Sequence, residues 1–204
     1  MVNGQSIGNK NKKNKMKVAE LLLKYKTDKN YGTINPKLGH CYGESYVDIF
    51  EMFDKNKEIN FLEIGIQKGG SLLAWKDYFA NANIYGVDIV DVILDEYRRD
   101  DINYIISDIK NESVKDQLKD IMFDIIIDDG SHVLSDVLYV ISNYLSKLNK
   151  GGVLIVEDCQ EPNNWINQIN WILETMGDQY TLTTSDLRSI NGHYDDFLII
   201  IKKN

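Results

Sequence analysis

The sequence predicts an α/β fold: a Rossmann-like, doubly wound sheet of seven strands, mostly parallel with an antiparallel last strand, and helices on both faces. From residue 59 onward, short apolar runs alternate with amphipathic segments, which is typical of this class. Runs such as 125–127 and 153–156 are apolar at every position, as in parallel strands that helices cover on each side. Residues 185–196 do not favour a helix and are predicted to form a long turn, so the last two strands should be antiparallel.

The predicted elements follow one another along the chain. A helix is predicted over 16–26, because Val18, Leu22 and Tyr25 recur at helical spacing. A polar, glycine-containing stretch comes next, and a second helix is predicted over 44–53. Beyond it we expect strands over 59–64, 83–87, 102–107, 123–127, 152–156, 180–184 and 197–202, and helices over 71–79, 113–119, 132–148 and 165–176.

The charge of the chain is unevenly distributed. Residues 1–17 carry five lysines and no acid, which leaves 18 basic residues against 31 acidic ones, a net charge of −13, in the remainder. So acidic a body repels a polyanion, and we expect no nucleic-acid partner. We interpret residues 1–15 as a disordered basic tail and 16–204 as a single domain, in which 16–58 form a helical lid ahead of the first strand.

The composition also indicates a cellular setting. Two cysteines, Cys41 and Cys159, do not make a disulfide framework in a chain of 204 residues, which favours a reduced, cytoplasmic protein. Apolar runs such as 197–201 are far shorter than the ~20 residues that a membrane-spanning helix needs. The first residues lack the apolar segment of a secretory signal. We therefore expect no membrane partner.

A glycine-containing loop follows the first predicted strand, beginning with Glu63 and Gly65 and ending with Ser71. Gly65 allows a tight turn and a close approach of a ligand to the backbone, and Ser71 is predicted to cap the next helix. No Gly-Lys-Ser/Thr sequence follows, so this is not the phosphate-binding loop of an NTPase. Ligands of open α/β sheets bind beyond the carboxyl ends of the strands, which places the expected site at this edge.

Acidic residues occur at the ends of the first three strands. Asp88 ends the second strand, where a carboxylate can accept hydrogen bonds from both ribose hydroxyls of a nucleoside. Asp108 follows the third strand, and Glu63 suits a ligand with an ammonium group. Any one of these acids is as readily a polar residue where a strand meets solvent. Together they favour a cofactor site, and Glu63 favours S-adenosylmethionine over NAD.

The strongest acidic cluster follows the fourth and fifth strands. The run 128–132 reads Asp-Asp-Gly-Ser-His, and the next strand ends in Glu157 and Asp158. Neighbouring parallel strands bring these carboxylates together, and their mutual repulsion favours a cation among them. An all-oxygen acidic set suits Mg²⁺ or Mn²⁺ rather than zinc. The alternative interpretation is a set of helix caps that face solvent.

His132 lies beside this acidic corner. An imidazole exchanges protons near neutral pH, so His132 can take the proton of an acceptor hydroxyl next to a methyl donor. A metal ion would lower the pKa of that hydroxyl and ease the transfer. The alternative interpretation is an exposed residue in the first turn of a helix.

Together these residues resemble class I S-adenosylmethionine-dependent methyltransferases. The nearer resemblance is to the metal-dependent sugar O-methyltransferases that modify macrolide antibiotics and to their cephalosporin-hydroxylase-like relatives. It extends over residues 25–165. The matching motifs are Glu63-x-Gly65, the Asp-Asp-Gly-Ser-His run with the later Glu-Asp pair, and the upstream signatures Thr27-Asp28-Lys29 and His40-x-Tyr42.

The resemblance implies a role for each matching residue. S-adenosylmethionine is the expected methyl donor, Asp129, Glu157 and Asp158 are the expected ligands of Mg²⁺ or Mn²⁺, and the histidine of the run is the expected base. His40 and Tyr42 are expected to cover the acceptor, a hydroxyl of a sugar in a natural product or surface glycan, or of a phosphorylated intermediate. The predicted cofactor-binding residues are Glu63, Gly65, Ser71, Asp88, Asp108 and Asp128.

One departure and two rival functions accompany this prediction. The macrolide enzymes carry an additional N-terminal domain, whereas about fifty residues precede the first strand here, which leaves the acceptor and a homo-oligomeric state open. An NAD-dependent oxidoreductase would use the same fold, but Glu63 and the acidic corner disfavour it. A non-catalytic binding protein that has kept the fold is the second rival. The function predicted is that of a Mg²⁺-dependent O-methyltransferase.

Overall fold

The computed structural model describes residues 18–35 and 37–204. The predicted basic tail, residues 1–15, lies outside this part of the chain, as do the first two residues of the first predicted helix. Residues 18–24 are helical and form α1. A short 3₁₀ helix, Asp28–Thr33, follows.

The sheet has the predicted architecture. Its seven strands are β1 (Asn60–Ile64), β2 (Asn83–Asp88), β3 (Ile102–Ile106), β4 (Phe123–Asp128), β5 (Leu148–Val156), β6 (Tyr180–Asp186) and β7 (Phe197–Lys203). They lie in the order β3-β2-β1-β4-β5-β7-β6. The pairs from β3 to β5 are parallel, whereas β7 is antiparallel to both β5 and β6. This confirms the prediction of a mostly parallel sheet with an antiparallel last strand.

Helices cover both faces of this sheet. They are α2 (Gly43–Phe50), α3 (Gly70–Tyr78), α4 (Glu112–Leu118), α5 (Leu134–Tyr144), α6 (Pro162–Met176) and α7 (Arg188–Asn191). Successive strand residues point to opposite faces, so Ile125 and Ile127 of β4 pack with α2 and α3, while Ile126 packs with α4, α5 and α6. The uninterrupted apolar runs of the sequence therefore correspond to strands buried on both sides.

The helix predicted over 132–148 is shorter in the structure. It begins at Leu134, because Val133 is extended, with φ −108° and ψ 125°, and His132 has a left-handed backbone with φ 54°. The α-helix ends at Tyr144 and is followed by one 3₁₀ turn. The apolar spacing predicted the helix itself, but periodicity carries no information on the turn that precedes it.

Two further predicted bounds were wrong. β5 begins at Leu148 rather than at 152, because an irregularity in the register of β4 and β5 lets Leu148 pair with Phe123. The long turn predicted over 185–196 contains one helical turn, α7, where a hydrogen bond of 2.9 Å from Leu187 N to Asp196 O closes the loop. The other bounds agree to within three residues.

The longest described helix, α6, has 15 residues and leaves Trp171 exposed. Within residues 18–35 and 37–204, no helix combines the length and the apolar character that crossing a bilayer requires. Cys41 and Cys159 are buried thiols, as expected for a chain without a disulfide framework.

Candidate active site

The carboxyl ends of β1, β4 and β5 bring the predicted acidic residues together. Ile64 in β1 pairs with Asp128 in β4, and Asp128 pairs with Val156 in β5. Asp129 and Glu157 come next on their strands, and backbone hydrogen bonds continue to them, with 2.9 Å from Asp129 N to Ile64 O and 3.0 Å from Glu157 N to Asp128 O. The two acidic runs therefore lie side by side at the predicted edge of the sheet.

A buried lysine from the N-terminal segment lies among these carboxylates. Lys29, in the 3₁₀ helix, places Nζ 2.6 Å from Asp129 Oδ2 and 2.8 Å from both carboxylate oxygens of Glu157. The same Nζ is 3.3 Å from Glu63 Oε1. Tyr46 in α2 donates a further hydrogen bond to Glu157 Oε1. We call Lys29 and its three carboxylates the inner cluster.

The inner cluster is short of positive charge. Burial by itself would lower the pKa of Lys29, but Asp129 and Glu157 hold it well above its usual range, so the ammonium group stays charged. Burial raises the pKa of Glu157 to about 7, although Lys29 opposes the shift. Burial and the charge of Glu157 also raise the pKa of Asp129. A single ammonium does not offset three carboxylates, of which those of Glu63 and Glu157 are buried.

A second group of side chains uses the other oxygen of Asp129. Asp129, His132 and Asp158 offer ligand atoms that all lie within 4.8 Å of one another. His132 Nε2 is 3.9 Å from Asp129 Oδ1 and 3.7 Å from Asp158 Oδ2. His132 and Asp158 both have left-handed backbones with φ 54°, a conformation that costs roughly 1–2 kcal/mol and is frequent at functional sites. We call these three residues the outer cluster.

The N-terminal segment also contacts the outer cluster, through Asp158. The Tyr42 hydroxyl donates a hydrogen bond to Asp158 Oδ1, and His40 Nδ1 lies 3.6 Å from the same oxygen. The His40 ring stacks on the Tyr42 ring with 4.8 Å between centroids. The structure thus brings both predicted acceptor-site residues to the carboxyl end of β5.

His40 is paired with a buried carboxylate, that of Asp196 just before β7. His40 Nδ1 hydrogen bonds to Asp196 Oδ1, and Asp196 is fully buried. Burial would lower the pKa of His40, but this hydrogen bond and the charge of Asp158 raise it to about 9. His40 therefore carries a positive charge at neutral pH.

Gly65 lines a cavity of about 380 Å³ together with the outer cluster. Asp88, Asp108 and Asp128, all predicted to bind the cofactor, line the same cavity. Gly65 has φ +83°, and a Cβ there would lie 1.9 Å from the carbonyl oxygen of Asp129, so only glycine fits. The carbonyl group of Asp129 thus accounts for the glycine at this position, and the close approach of a ligand to this loop stays a prediction.

A second cavity, of about 290 Å³, lies between the same loop and residues 25–29. Gly65, Ser71 and Lys29 line it. The prediction that Ser71 caps the following helix was wrong. Gly69 is the N-cap of α3, with φ 85°, and Ser71 lies within the helix. The left-handed conformation suits the glycine, which moves the start of the helix upstream.

Two of the predicted cofactor residues differ in their surroundings. Asp88 Oδ2 accepts hydrogen bonds of 2.9 Å from the backbone N–H groups of Ile66 and Gln67, so it holds the glycine-containing loop in place. Burial raises the pKa of Asp128 to about 7. Among the described residues, no hydrogen-bond partner contacts Asp128 Oδ2.

Glu63 is fully buried and lines neither of these two cavities. Its Oε2 accepts a hydrogen bond of 2.9 Å from Trp75 Nε1, and its Oε1 faces Lys29 Nζ. Burial raises the pKa of this carboxyl. In the structure the ammonium group beside Glu63 is that of Lys29, and contact of Glu63 with the cofactor stays a prediction.

Sequence reasoning did not assign a role at the site to Lys29 or Asp196. The Thr27-Asp28-Lys29 signature marked the segment but not the contacts of its lysine. Tyr46 is buried in α2, and its hydroxyl contacts Glu157. No local signal marked Asp196, which is 156 residues from His40 in the chain.

Comparisons with curated proteins bear out the resemblance. No protein-family model matches the chain. It is 34% identical over 130 residues to "8-demethyl-8-alpha-L-rhamnosyl tetracenomycin-C 2'-O-methyltransferase" of Streptomyces olivaceus, which covers 59% of this chain and 34% of that protein. It is 33% identical over 135 residues to "Mycinamicin VI 2''-O-methyltransferase" of Micromonospora griseorubida, which covers 60% and 33%. The chain thus spans about a third of the length of these relatives.

A solved structure shows the same fold. MycE methyltransferase from the mycinamycin biosynthetic pathway, in complex with Mg, SAH and mycinamycin VI, matches with a TM-score of 0.67 and 24% identity. The match covers 92% of this chain and 54% of that one. The sheet order, the antiparallel last strand and this likeness together establish a class I methyltransferase fold.

Proposed function

We propose, from this methyltransferase fold and the similarity to sugar O-methyltransferases, that the chain transfers a methyl group from S-adenosylmethionine to a hydroxyl of a small polar acceptor. The observation that carries the proposal is the outer cluster, in which His132 lies between two carboxylates at the edge of the 380 Å³ cavity. Catalytic side chains and a cavity of ligand size thus share one end of the sheet.

The lining of the larger cavity suits S-adenosylmethionine. Gly65 lets a ligand approach the backbone, and Asp88 and Asp108 are acidic residues where nucleoside cofactors of such folds bind. Asp128 Oδ2 is buried and has no hydrogen-bond partner among the described residues. A ligand that donates a hydrogen bond to it would satisfy this buried acceptor. When bound, S-adenosylmethionine supplies the electrophilic methyl group.

The outer cluster suits Mg²⁺ or Mn²⁺. Asp129 and Asp158 offer carboxylate oxygens, the ligands that these hard cations prefer. Burial and the neighbouring charge of Asp158 raise the pKa of Glu157 to about 7, and a cation at this end of the sheet would favour the ionised carboxylates. When bound, the cation would lower the pKa of an acceptor hydroxyl. Glu157, the third predicted ligand, directs both oxygens to Lys29.

His132 is the group that takes the proton from the acceptor hydroxyl. Its Nε2 atom faces Asp158 Oδ2 at 3.7 Å and Asp129 Oδ1 at 3.9 Å, and both carboxylates stabilise the imidazolium that forms. The Tyr42 hydroxyl holds Asp158 in position. The His132 side chain is 30% exposed, so the proton can pass on to water.

The acceptor is a sugar hydroxyl of a natural product or surface glycan, or a related phosphorylated intermediate, and the chain acts in carbohydrate modification. One relative is named as a 2'-O-methyltransferase of a rhamnosyl tetracenomycin, and another as a 2''-O-methyltransferase of mycinamicin VI. The segment 16–58 serves as the lid of this site. Lys29 and Tyr42, both in this segment, contact the acidic residues that follow β4 and β5, which supports the proposal.

Calorimetry with S-adenosylhomocysteine tests the cofactor. We expect saturable binding, and we expect Asp88→Ala to weaken it at least tenfold because the glycine-containing loop loses its anchor. Asp54→Ala is the matched control, because Asp54 lies in the loop before β1, at the end of that strand away from the cavity. The affinity of this variant for S-adenosylhomocysteine should stay within twofold of the wild type. If the wild-type chain does not bind S-adenosylhomocysteine, the proposal fails.

The rival functions predict other outcomes. An NAD-dependent oxidoreductase would be stabilised against heat by NAD and not by S-adenosylhomocysteine, the reverse of what we expect. A non-catalytic binding protein would show no methyl transfer to any sugar-bearing acceptor, including 8-demethyl-8-alpha-L-rhamnosyl tetracenomycin C, and His132→Asn would then change no activity.

A further inference from the structure

The inner cluster bears on which residues hold the divalent cation. We propose that Lys29 is a built-in cation that withdraws Glu157 from the metal site, so that Asp129 and Asp158 are the carboxylate ligands. Lys29 is then a positioning residue, which acts on the site through the acids it holds. This inference rests on the metal site proposed above and refines it.

Both carboxylate oxygens of Glu157 already have partners within the chain. Both of its oxygens lie 2.8 Å from Lys29 Nζ, and Oε1 also accepts the hydrogen bond of the Tyr46 hydroxyl. The side chain is 1% exposed and lines neither of the two cavities described above. A cation that enters from the 380 Å³ cavity therefore meets Asp158 and not Glu157.

The two carboxylate oxygens of Asp129 belong to different clusters. Its Oδ2 lies 2.6 Å from Lys29 Nζ, whereas its Oδ1 lies on the side of His132 Nε2, 3.9 Å away. Asp129 therefore keeps one oxygen for a cation on the cavity side. With Asp158 it can offer two carboxylate oxygens to an ion without disturbing Lys29.

A lysine suits the inner position on chemical grounds. An ammonium group donates three hydrogen bonds, and those of Lys29 Nζ go to Asp129 and to both oxygens of Glu157, while Glu63 Oε1 lies at an ion-pair distance of 3.3 Å. Buried carboxylates without a cation would be strongly unfavourable. Because Lys29 is tethered to the chain, the ends of β1, β4 and β5 can assemble before any divalent cation binds.

Mn²⁺ binding, followed through the electron paramagnetic resonance signal of the free ion, tests this assignment with the full chain and no cofactor. We expect the wild type to bind one Mn²⁺. Asp158→Asn should weaken binding at least tenfold, whereas the equally conservative Glu157→Gln should change it less than threefold. An equal loss in the two variants would overturn the proposal, and so would a wild type that binds no Mn²⁺.

Lys29→Met gives a second measurement. Removal of the ammonium group opens the inner cluster, so we expect either a second bound Mn²⁺ or an affinity at least tenfold higher. An unchanged affinity and stoichiometry would contradict the proposal. If Lys29→Met does not fold, the comparison of Glu157→Gln with Asp158→Asn still decides the question.

These titrations separate the two proposals. They contain no S-adenosylmethionine, so a chain that fails to bind S-adenosylhomocysteine refutes the proposed function and leaves the Mn²⁺ result interpretable. A chain that binds S-adenosylhomocysteine but loses Mn²⁺ equally in both variants refutes only the role of Lys29.

Discussion

Two histidines flank the Asp158 carboxylate, and their surroundings differ. His40 Nδ1 lies 3.6 Å from Oδ1 and hydrogen bonds to the fully buried Asp196. His132 Nε2 lies 3.7 Å from Oδ2, beyond hydrogen-bond distance, and its side chain is twice as exposed, at 30% against 15%. Both imidazoles are near acids, but only His40 is tied to one that solvent does not reach.

Both histidines have acids nearby, so the difference between their roles lies in the burial of the acid that each one contacts. Asp196 cannot lose its charged partner without a large cost, so it keeps His40 protonated as a fixed charge. His132 has looser contacts and an exposed edge, which suits a group that gains and loses a proton. We therefore assign positioning to His40 and proton transfer to His132.

Removal of each imidazole in turn tests the roles assigned to His40 and His132. With an acceptor that the wild type methylates, His132→Asn should lower kcat by on the order of 10²–10⁴-fold, because the general base is lost. His40→Asn should lower it by less than about tenfold, since it only orients Asp158. Binding of S-adenosylhomocysteine, measured by calorimetry, should stay within threefold in both variants. If the His40 variant loses as much turnover as the His132 variant, the assignment is wrong.

Removal of the buried partner tests the fixed charge of His40. Asp196→Asn should lower the free energy of unfolding by about 3 kcal/mol, because it removes the buried carboxylate that pairs with the half-buried imidazolium of His40. Glu112→Gln, which breaks an ion pair with Lys115 at a carboxylate that is 82% exposed, is the control and should cost less than about 0.5 kcal/mol. Urea unfolding measures both. Equal losses in the two variants would show that the buried pair contributes no more than a surface pair.

The pH dependence of stability also tests the charge of His40 in the folded chain. The pKa of His40 is about 9 in the folded chain and about 6.5 for a free histidine, so the folded state holds the proton more tightly. This contribution is fully present below about pH 6.5 and is lost as the pH rises through 9. The difference in urea midpoint between the wild type and His40→Asn should therefore shrink between pH 6 and pH 9.5. A difference that does not change over this range would contradict the assigned pairing.

The smallest expected effect concerns the backbone at His132. The backbone at His132 has φ 54°, which glycine adopts without strain and alanine does not. His132→Gly should therefore be more stable than His132→Ala by about 1 kcal/mol. At the exposed Ser142, in the last turn of α5, the order should reverse, and Ser142→Ala should be more stable than Ser142→Gly by up to about 1 kcal/mol. Thermal unfolding of the four variants measures both differences. The same order at both positions would argue against a strained backbone at His132.

The alternation of apolar runs and amphipathic segments was enough to predict the sheet. Runs such as 125–127 can be buried only between two layers of helices, and the structure places them there. The wrong bounds of the predicted elements lie where the local sequence pattern gives no information. Leu148 joins β5 because Phe123 lies opposite it, and the helix after His132 begins late because of a left-handed backbone.

The site was predicted in part. The acidic run at 128–129 and the Glu157-Asp158 pair were expected side by side, since parallel strands end at one edge, and the register confirms that placement. Their roles as ligands remain predictions. What the sequence did not indicate is which carboxylate oxygens point toward Lys29 and which toward the cavity, because that division depends on side-chain contacts across about 100 residues of chain.

Local patterns in the sequence are enough to predict acids at the carboxyl ends of the strands, a glycine-containing loop at Gly65 and His132 beside the acidic run. Hydrophobic periodicity and strand direction suffice for that, because both are local properties. The pairing of charges, with Lys29 inside the acidic corner and Asp196 against His40, became evident from the three-dimensional arrangement. The energy of a charge depends on its burial and on partners distant in sequence, and a local pattern records neither.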